Sequence, residues 1–269
     1  MEIIIKNNYN EICSEASQII FQEWQKKNNI VLGLATGRTP LGVYAKLIDS
    51  FKKGKLDFSE TRAFSLDEYF GLKEDHHESF AHFMNKNLYS QINIKKENIH
   101  RLHGLPEDID EHCRQYETFI KSVGGIDIQI LGIGSNGHIG FNEPSSSLAS
   151  RTRAKTLTEE TIKANRHFMK GQDKVPRYCL TMGIGTIMEA KTILLLAFGK
   201  NKEDAVVKCV EGPVTAMVPA SALQLHPDVK IIIDEDAASQ LTGKDYYRWV
   251  YKNKKGITKI RSGNKPPVL

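Results

Sequence analysis

A carboxylate pair, a histidine set among glycines and two hydroxyl-rich segments are the parts of this sequence best equipped for chemistry. Asp67 and Glu68, within Ser65-Leu66-Asp67-Glu68-Tyr69-Phe70-Gly71, close an apolar run. A carboxylate partly desolvated there gains basicity and can remove a carbon-bound proton. The plain alternative is an acidic cap on a helix or turn. In Leu131-Gly132-Ile133-Gly134-Ser135-Asn136-Gly137-His138-Ile139-Gly140-Phe141-Asn142-Glu143-Pro144, four glycines fold a tight loop that brings Asn136 and Glu143 near His138. A histidine with a carboxylate partner shuttles protons near neutral pH; the competing reading is a hydrogen-bonded structural histidine. Gly132, Gly134 and Gly137 also satisfy the G-x-G-x-x-G spacing of dinucleotide sites. Gly140 and Pro144 argue against a long helix from Gly137, and no acid ends a strand about 20 residues on, so that reading is rejected.

Two further segments suit an anion. In Gly33-Leu34-Ala35-Thr36-Gly37-Arg38-Thr39-Pro40, Gly37 lets the backbone pass close to a ligand, hydroxyls flank it, and a following helix would offer free N–H groups. The spacing is not that of a nucleotide P-loop, and a simple strand–helix turn is the alternative. Ser145 to Thr156 places hydroxyls before Arg151, Arg153 and Lys155, which suits a phosphate or, more simply, a polar surface loop. Arg166 and Lys202 add cations beside expected element ends. His76-His77 and the His100/His103 pair lack the partners that would complete a metal site. No G-x-S-x-G elbow of a serine hydrolase is present.

These residues need elements to hold them. Short β-branched runs recur at Ile3–Ile5, Ile30–Ala35, Thr61–Leu66, Asn98–Leu102, Ile126–Ile133, Tyr178–Met182, Thr192–Phe198 and Val229–Asp234. Between them lie helical stripes: Ile12, Ala16, Ile19, Ile20; Tyr44, Leu47, Ile48, Phe51; and Ile109, Cys113, Tyr116, Ile120. Pro40 stands where a first helical turn would begin, with Thr39 as a candidate N-cap. Alternating strand and helix predicts an α/β fold with a mostly parallel sheet covered on both faces. In such sheets ligands bind beyond the carboxyl ends of the strands, where the segments above fall. The whole of 1–269 reads as one α/β domain with a basic tail from about 244.

Composition narrows the class. Of 269 residues, 40% are hydrophobic and 26% charged, which excludes a disordered or collagen-like chain. No apolar stretch approaches a membrane span, and the start turns polar too soon for a signal-peptide apolar region. The net charge of +5 is uneven. From Lys244 onward eight cations oppose only Asp245, a net +7 that leaves the other residues at −2. A body at −2 is not a nucleic-acid-binding surface, and the tail reads as a solvated end. Cys13, Cys113, Cys179 and Cys209 are widely spaced, as expected of reduced thiols in a cytoplasm.

In order along the chain, several motifs together resemble the glucosamine-6-phosphate deaminase family. They are Thr36-Gly37-Arg38-Thr39-Pro40, Leu66-Asp67-Glu68-Tyr69, Asn136 to Pro144 and Ser150-Arg151-Thr152-Arg153. The likeness continues through Tyr116, Val175-Pro176, Gly183-Ile184-Gly185-Thr186 and Leu223-Gln224-Leu225-His226-Pro227, and fades after about Asp234. The resemblance implies a doubly wound, NagB-like α/β fold with helices on both faces of a mostly parallel sheet. It implies aldose–ketose isomerisation with deamination of glucosamine 6-phosphate to fructose 6-phosphate and ammonia, with no metal and no organic cofactor. Asp67 would be the base that moves the C2 proton toward C1. His138, supported by Glu143, would open the sugar ring, and Asn136 stands where some members have Asp. Thr36, Gly37, Arg38 and Thr39, with Arg166 and Lys202, would hold the substrate phosphate, and Leu157 to Lys174 would form a lid. Some members are hexamers activated by N-acetylglucosamine 6-phosphate between subunits. Ser146, Arg153 and Lys155 match that effector site, so a cooperative homohexamer is expected, with sugar phosphates as partners and neither nucleic acid nor membrane. The alternatives are a 6-phosphogluconolactonase-like hydrolase and a non-catalytic sugar-phosphate sensor. A sensor should have lost Asp67, His138 or Glu143, and all three are present.

Overall fold

The computed structural model describes residues 1–165 and 175–261. The first half of the chain forms β1 (Glu2–Lys6), α1 (Tyr9–Lys26), β2 (Val31–Leu34), α2 (Leu41–Lys52), β3 (Arg62–Ser65), β4 (Asp67–Tyr69), α3 (Phe80–Asn87), β5 (Ile99–His100) and α4 (Ile109–Ser122). The second half adds β6 (Ile128–Gly132), β7 (Arg153–Thr156), α5 (Glu159–Asn165), β8 (Tyr178–Thr181), α6 (Ile184–Ile187), β9 (Thr192–Ala197), α7 (Glu203–Val210), β10 (Val229–Asp234) and α8 (Lys244–Arg261). Seven strands make one parallel sheet in the order β1-β10-β9-β6-β2-β3-β5. Alternate strand residues feed two cores. Leu32, Leu34, Ile128, Ile130 and Leu194 pack under the predicted stripes of α1 and α2. Val31, Phe64, Leu131, Ile193 and Leu195 pack on the other face with Cys113, Tyr116 and Ile120 of α4 and Val206 of α7. Helices therefore cover both faces, and the doubly wound α/β fold is as expected.

The strand order reverses between β2 and β6. From β2 the chain steps outward through β3 to β5, and from β6 it steps the other way through β9 and β10. Loops leaving two such neighbours part to opposite faces and open a crevice at their carboxyl ends.

A second sheet was not foreseen. β4, β8 and β7 form three antiparallel strands in the order β4-β8-β7, with Asp67 and Arg153 both opposite Thr181. Asp67 and Glu68 thus do not close the preceding apolar strand. That strand ends at Ser65, and Leu66 is the hinge: its N–H donates to the Leu34 carbonyl at 2.9 Å, and its carbonyl accepts from Met182 N–H at 2.9 Å. Likewise the polar stretch read as a loop to Thr156 ends in a strand, β7. Its residues alternate between half-buried and exposed, so no apolar alternation marks it.

The basic end is helical, with most of its described side chains exposed as expected of a solvated end. Residues from Lys244 form α8, which lies along β1: Lys254 pairs with Glu2 at 2.6 Å, and Lys6 sits 4.9 Å from the Tyr251 ring centre. Tyr251 is half-buried against the α1–α2 core. Among the described residues no helix is long and apolar enough to cross a membrane, and the four cysteines are buried free thiols. Tyr251→Ala should unseat α8 and cost about 1–2 kcal/mol of stability. Urea unfolding followed by circular dichroism reads this, and an unchanged midpoint would mean that α8 contributes nothing to the fold.

Candidate active site

A cavity of about 600 Å³ opens at the β2/β6 crevice. Thr36, Gly37, Thr39, Asp67, Asn136, His138 and Lys202 all line it, so one space joins four segments that are far apart in sequence. α3 supplies another wall through Phe80, His82 and Phe83, a contribution without a motif in the sequence. A second cleft of about 530 Å³, lined by residues such as Glu74, His103, Glu111 and His112, contains none of the candidate residues. Its polar groups partner one another, as in the 2.8 Å contact of His103 Nδ1 with Glu74. Among the described residues no group of three His, Cys, Asp or Glu side chains could hold a metal ion.

The loop after β2 bends at Gly37, whose φ of +91° lies in the left-handed region that glycine enters without strain. Thr39 does not cap the helix behind it. Pro40 occupies the cap position in a helical conformation, and no side-chain cap bond is made there. The N–H groups of that helix start are not all free either, because Gly42 N–H donates to the Tyr9 hydroxyl at 2.9 Å. The same hydroxyl lies 3.0 Å from the carbonyl oxygens of Arg38 and Thr39. Tyr9, from α1, thus pins the loop from behind. The signal for it was Gly42: a Cβ there would meet the Tyr9 hydroxyl at 3.0 Å and Cys13 Sγ at 2.5 Å. Arg38 is exposed and its side chain lies outside the cavity wall. Lys202 ends a 3-10 turn before α7, and burial lowers the pKa of its ammonium. Asp234 at the end of β10 holds that turn through Gly199 N–H at 3.0 Å.

Asp67 and Glu68 are both buried. Burial, then the neighbouring Glu68 charge, pushes the Asp67 carboxyl up to about 8. Such a group is a far stronger base than an exposed carboxylate once ionised, and it faces the cavity.

The glycine loop places His138 by close approach. A Cβ on residue 134 would sit 2.2 Å from the His138 ring, so only glycine fits, and Gly134 N–H donates to the His138 carbonyl at 2.9 Å. His138 Nδ1 lies 2.7 Å from Asn136 Oδ1, which also accepts from His138 N–H at 3.2 Å. Asn136 Nδ2 donates to Glu143 Oε2 at 2.9 Å, while His138 Nδ1 stands 3.4 Å from that carboxylate. The amide therefore sits between histidine and acid. An amide oxygen only accepts, so Nδ1 carries the hydrogen and Nε2 is left to exchange a proton. Burial alone would raise Glu143. Hydrogen bonds and charge from His138, with hydroxyl Thr161 and amide Asn136, instead bring it down to about 2. Thr161 Oγ1 donates to Glu143 Oε1, and Thr158 Oγ1 reaches the same oxygen at 3.3 Å. These two threonines, one on α5 and one just before it, tie the expected lid to the acid, a link the sequence did not reveal.

Ser146, Arg153 and Lys155 lie outside the cavity wall. Ser146 Oγ is buried without a hydrogen-bond partner, and Arg153 donates to Asn142 Oδ1 at 2.9 Å beside Glu143. Arg166 and residues 166–174 of the expected lid lie outside the described residues.

Residues 6–232 match the model of the family described as glucosamine-6-phosphate isomerases/6-phosphogluconolactonase. The glucosamine-6-phosphate deaminase of Thermoanaerobacter pseudethanolicus is 53% identical over 245 residues, which cover 91% of this chain and 97% of the relative. The solved structure of a monomeric glucosamine-6-phosphate deaminase superposes with a TM-score of 0.86 at 44% identity, over 89% of this chain and 99% of the other. A 6-phosphogluconolactonase from Trypanosoma cruzi, 20% identical, shares the fold with a TM-score of 0.71 over 90% of this chain and 97% of its own. Within the loop itself, Tyr9→Phe removes a hydroxyl that accepts from Gly42 N–H and donates to a loop carbonyl, so it should cost about 1–2 kcal/mol of stability. Urea unfolding measures it; an unchanged midpoint would show that the loop keeps its shape without that hydroxyl.

Proposed function

The chain belongs to the family of glucosamine-6-phosphate isomerases and 6-phosphogluconolactonases, and from that premise we propose that it is a glucosamine-6-phosphate deaminase. The carrying observation is Asp67: a buried carboxylate of raised pKa that lines one cavity with His138, Lys202, Thr36, Gly37 and Thr39. Lactone hydrolysis, the reaction of the more distant relatives, needs no base over a carbon-bound proton.

The steps follow from the groups present. Loop 36–39 and Lys202 hold the substrate phosphate, joined by Arg166 in the motif-based reading, and this remote binding positions the reacting carbons. His138 Nε2 moves a proton between ring oxygen and O1, opening the pyranose, while Asn136 and Glu143 fix the ring and stabilise its protonated form. Asp67 takes the proton from C2 and returns it to C1, which turns the 2-amino aldose into a C2 imine. Water adds to C2 and ammonia leaves, giving fructose 6-phosphate. The two carboxylates suit different tasks because their surroundings push them apart, Asp67 up and Glu143 down.

Asp67→Asn should lower kcat for ammonia release by about 10²- to 10⁴-fold. In the wild type, Asp67 acts only when ionised, so kcat/KM should climb as pH rises through about 8 and fall on the acid side. No ammonia from the wild type would refute the deaminase reading, and full activity in the variant would refute the base.

The effector-activated hexamer is the second part of the proposal. It is supported by the match of Ser146, Arg153 and Lys155 to the effector positions of that branch, and by a Ser146 hydroxyl that is buried and unpartnered within the chain. The 44%-identical relative is a monomer, so assembly is the discriminating observable. Sedimentation should give six subunits, and N-acetylglucosamine 6-phosphate should shift the saturation curve to lower substrate. A monomer with an unshifted curve would end this part.

A further inference from the structure

Glu68 takes no part in the proton transfers above, yet it is as deeply buried as Asp67. Successive side chains of a strand leave opposite faces. Asp67 lines the cavity, and Glu68 reaches the start of α3. One of its oxygens accepts from Tyr69 N–H at 2.8 Å and Phe80 N–H at 2.9 Å, and the other from Ala81 N–H at 2.8 Å. The Ser79 hydroxyl takes the next helical N–H, that of His82, at 3.0 Å, and Ser79 N–H donates to the His76 carbonyl at 2.9 Å. All four N–H groups that a helix start leaves unpaired are thereby used, two of them by Glu68. α3 in turn carries Phe80, His82 and Phe83 of the cavity wall.

We propose that Glu68 is the positioning residue of the base: its carboxylate ties β4 to the start of α3 and sets the charge against which Asp67 must lose its proton. The proposal rests on the reading of Asp67 as the base. Other groups face Asp67 as well. Cys179 of β8, Tyr44 of α2 and Tyr116 of α4 feel its charge, and burial raises the pKa of each. His138 and Lys202 line the same cavity, with His77, Glu78, His82 and Lys86 from α3 and the turn before it. Glu143 stands behind His138. Of all these, Glu68 is the charge that moves Asp67. Burial raises Glu68 too, but three N–H groups and then Arg101 act in the opposite direction, and a helix start favours an anion. Hydrogen bonds thus offset the burial of Glu68, whereas both causes acting on Asp67 raise it.

Three variants separate charge from scaffold. Glu68→Gln removes the charge and should move the acid limb of kcat/KM down by about one pH unit. Glu68→Asp keeps the charge on a shorter arm: KM should rise while the limb stays. Ser79→Ala loosens the same helix start without touching the pair, and it too should change KM alone. An unmoved limb in Glu68→Gln, or an equal shift in Ser79→Ala, overturns the proposal. Carbon-13 NMR of aspartate-labelled protein reads Asp67 without substrate and, in the wild type, without relying on any variant to fold. A titration far above the ordinary value of about 4 that falls in Glu68→Gln supports the proposal, and one at the ordinary value, or one unmoved in Glu68→Gln, overturns it. Failure of the ammonia assay would sink the deaminase reading alone, because this titration involves no turnover.

Discussion

The structure is organised around a carboxylate that water would stabilise better than the protein does. Asp67 sits buried where two sheets meet, and its neighbour in sequence is a second buried acid. Ionising both is costly in a low-dielectric site, and that cost is what lifts the Asp67 carboxyl well above the ordinary aspartate range. The remaining features limit the damage. Glu68 is satisfied by backbone N–H groups, Leu66 locks the strand from both sides, and α3 closes over the pair. A site of this kind trades stability for reactivity.

Glu143 shows the opposite solution within the same cavity region. It is also buried, but a histidine, an amide and two hydroxyls surround it, and it stays ionised far into acid. One fold thus keeps two carboxylates in contrary states by surroundings alone. Asn136 is central to this contrast. Its amide offers oxygen to the histidine and nitrogen to the acid, so it fixes the ring's hydrogen on Nδ1 without adding a third charge.

Much of this was legible in the sequence. Buried parallel strands are near-continuous β-branched runs, and Ile193 to Ala197 and Ile231 to Ile233 announce themselves as such. The glycine loop was legible because close packing of backbone against His138 demands glycine at 134. The small antiparallel sheet was not, since β4 has three residues and β7 is half-exposed, too little pattern to separate from loop. Nor were Tyr9, Thr158 and Thr161, whose roles arise from contacts between distant segments. The basic end reads as solvated and is mostly exposed, but the contacts that lay it along β1, through Tyr251 and Lys254, have no pattern in the sequence.

Leu66 gives its N–H to the large sheet and its carbonyl to the small one. Asp67 is the next residue, so neither sheet can shift against the other without moving it or breaking one of these two bonds. The small sheet ends at β7, whose outer edge lies two strand spacings, about 10 Å, from the strand of Asp67. Tension applied at that edge would reach Asp67 through two rungs of backbone hydrogen bonds. The molecule is, in mechanical terms, a short lever with its fulcrum at a leucine.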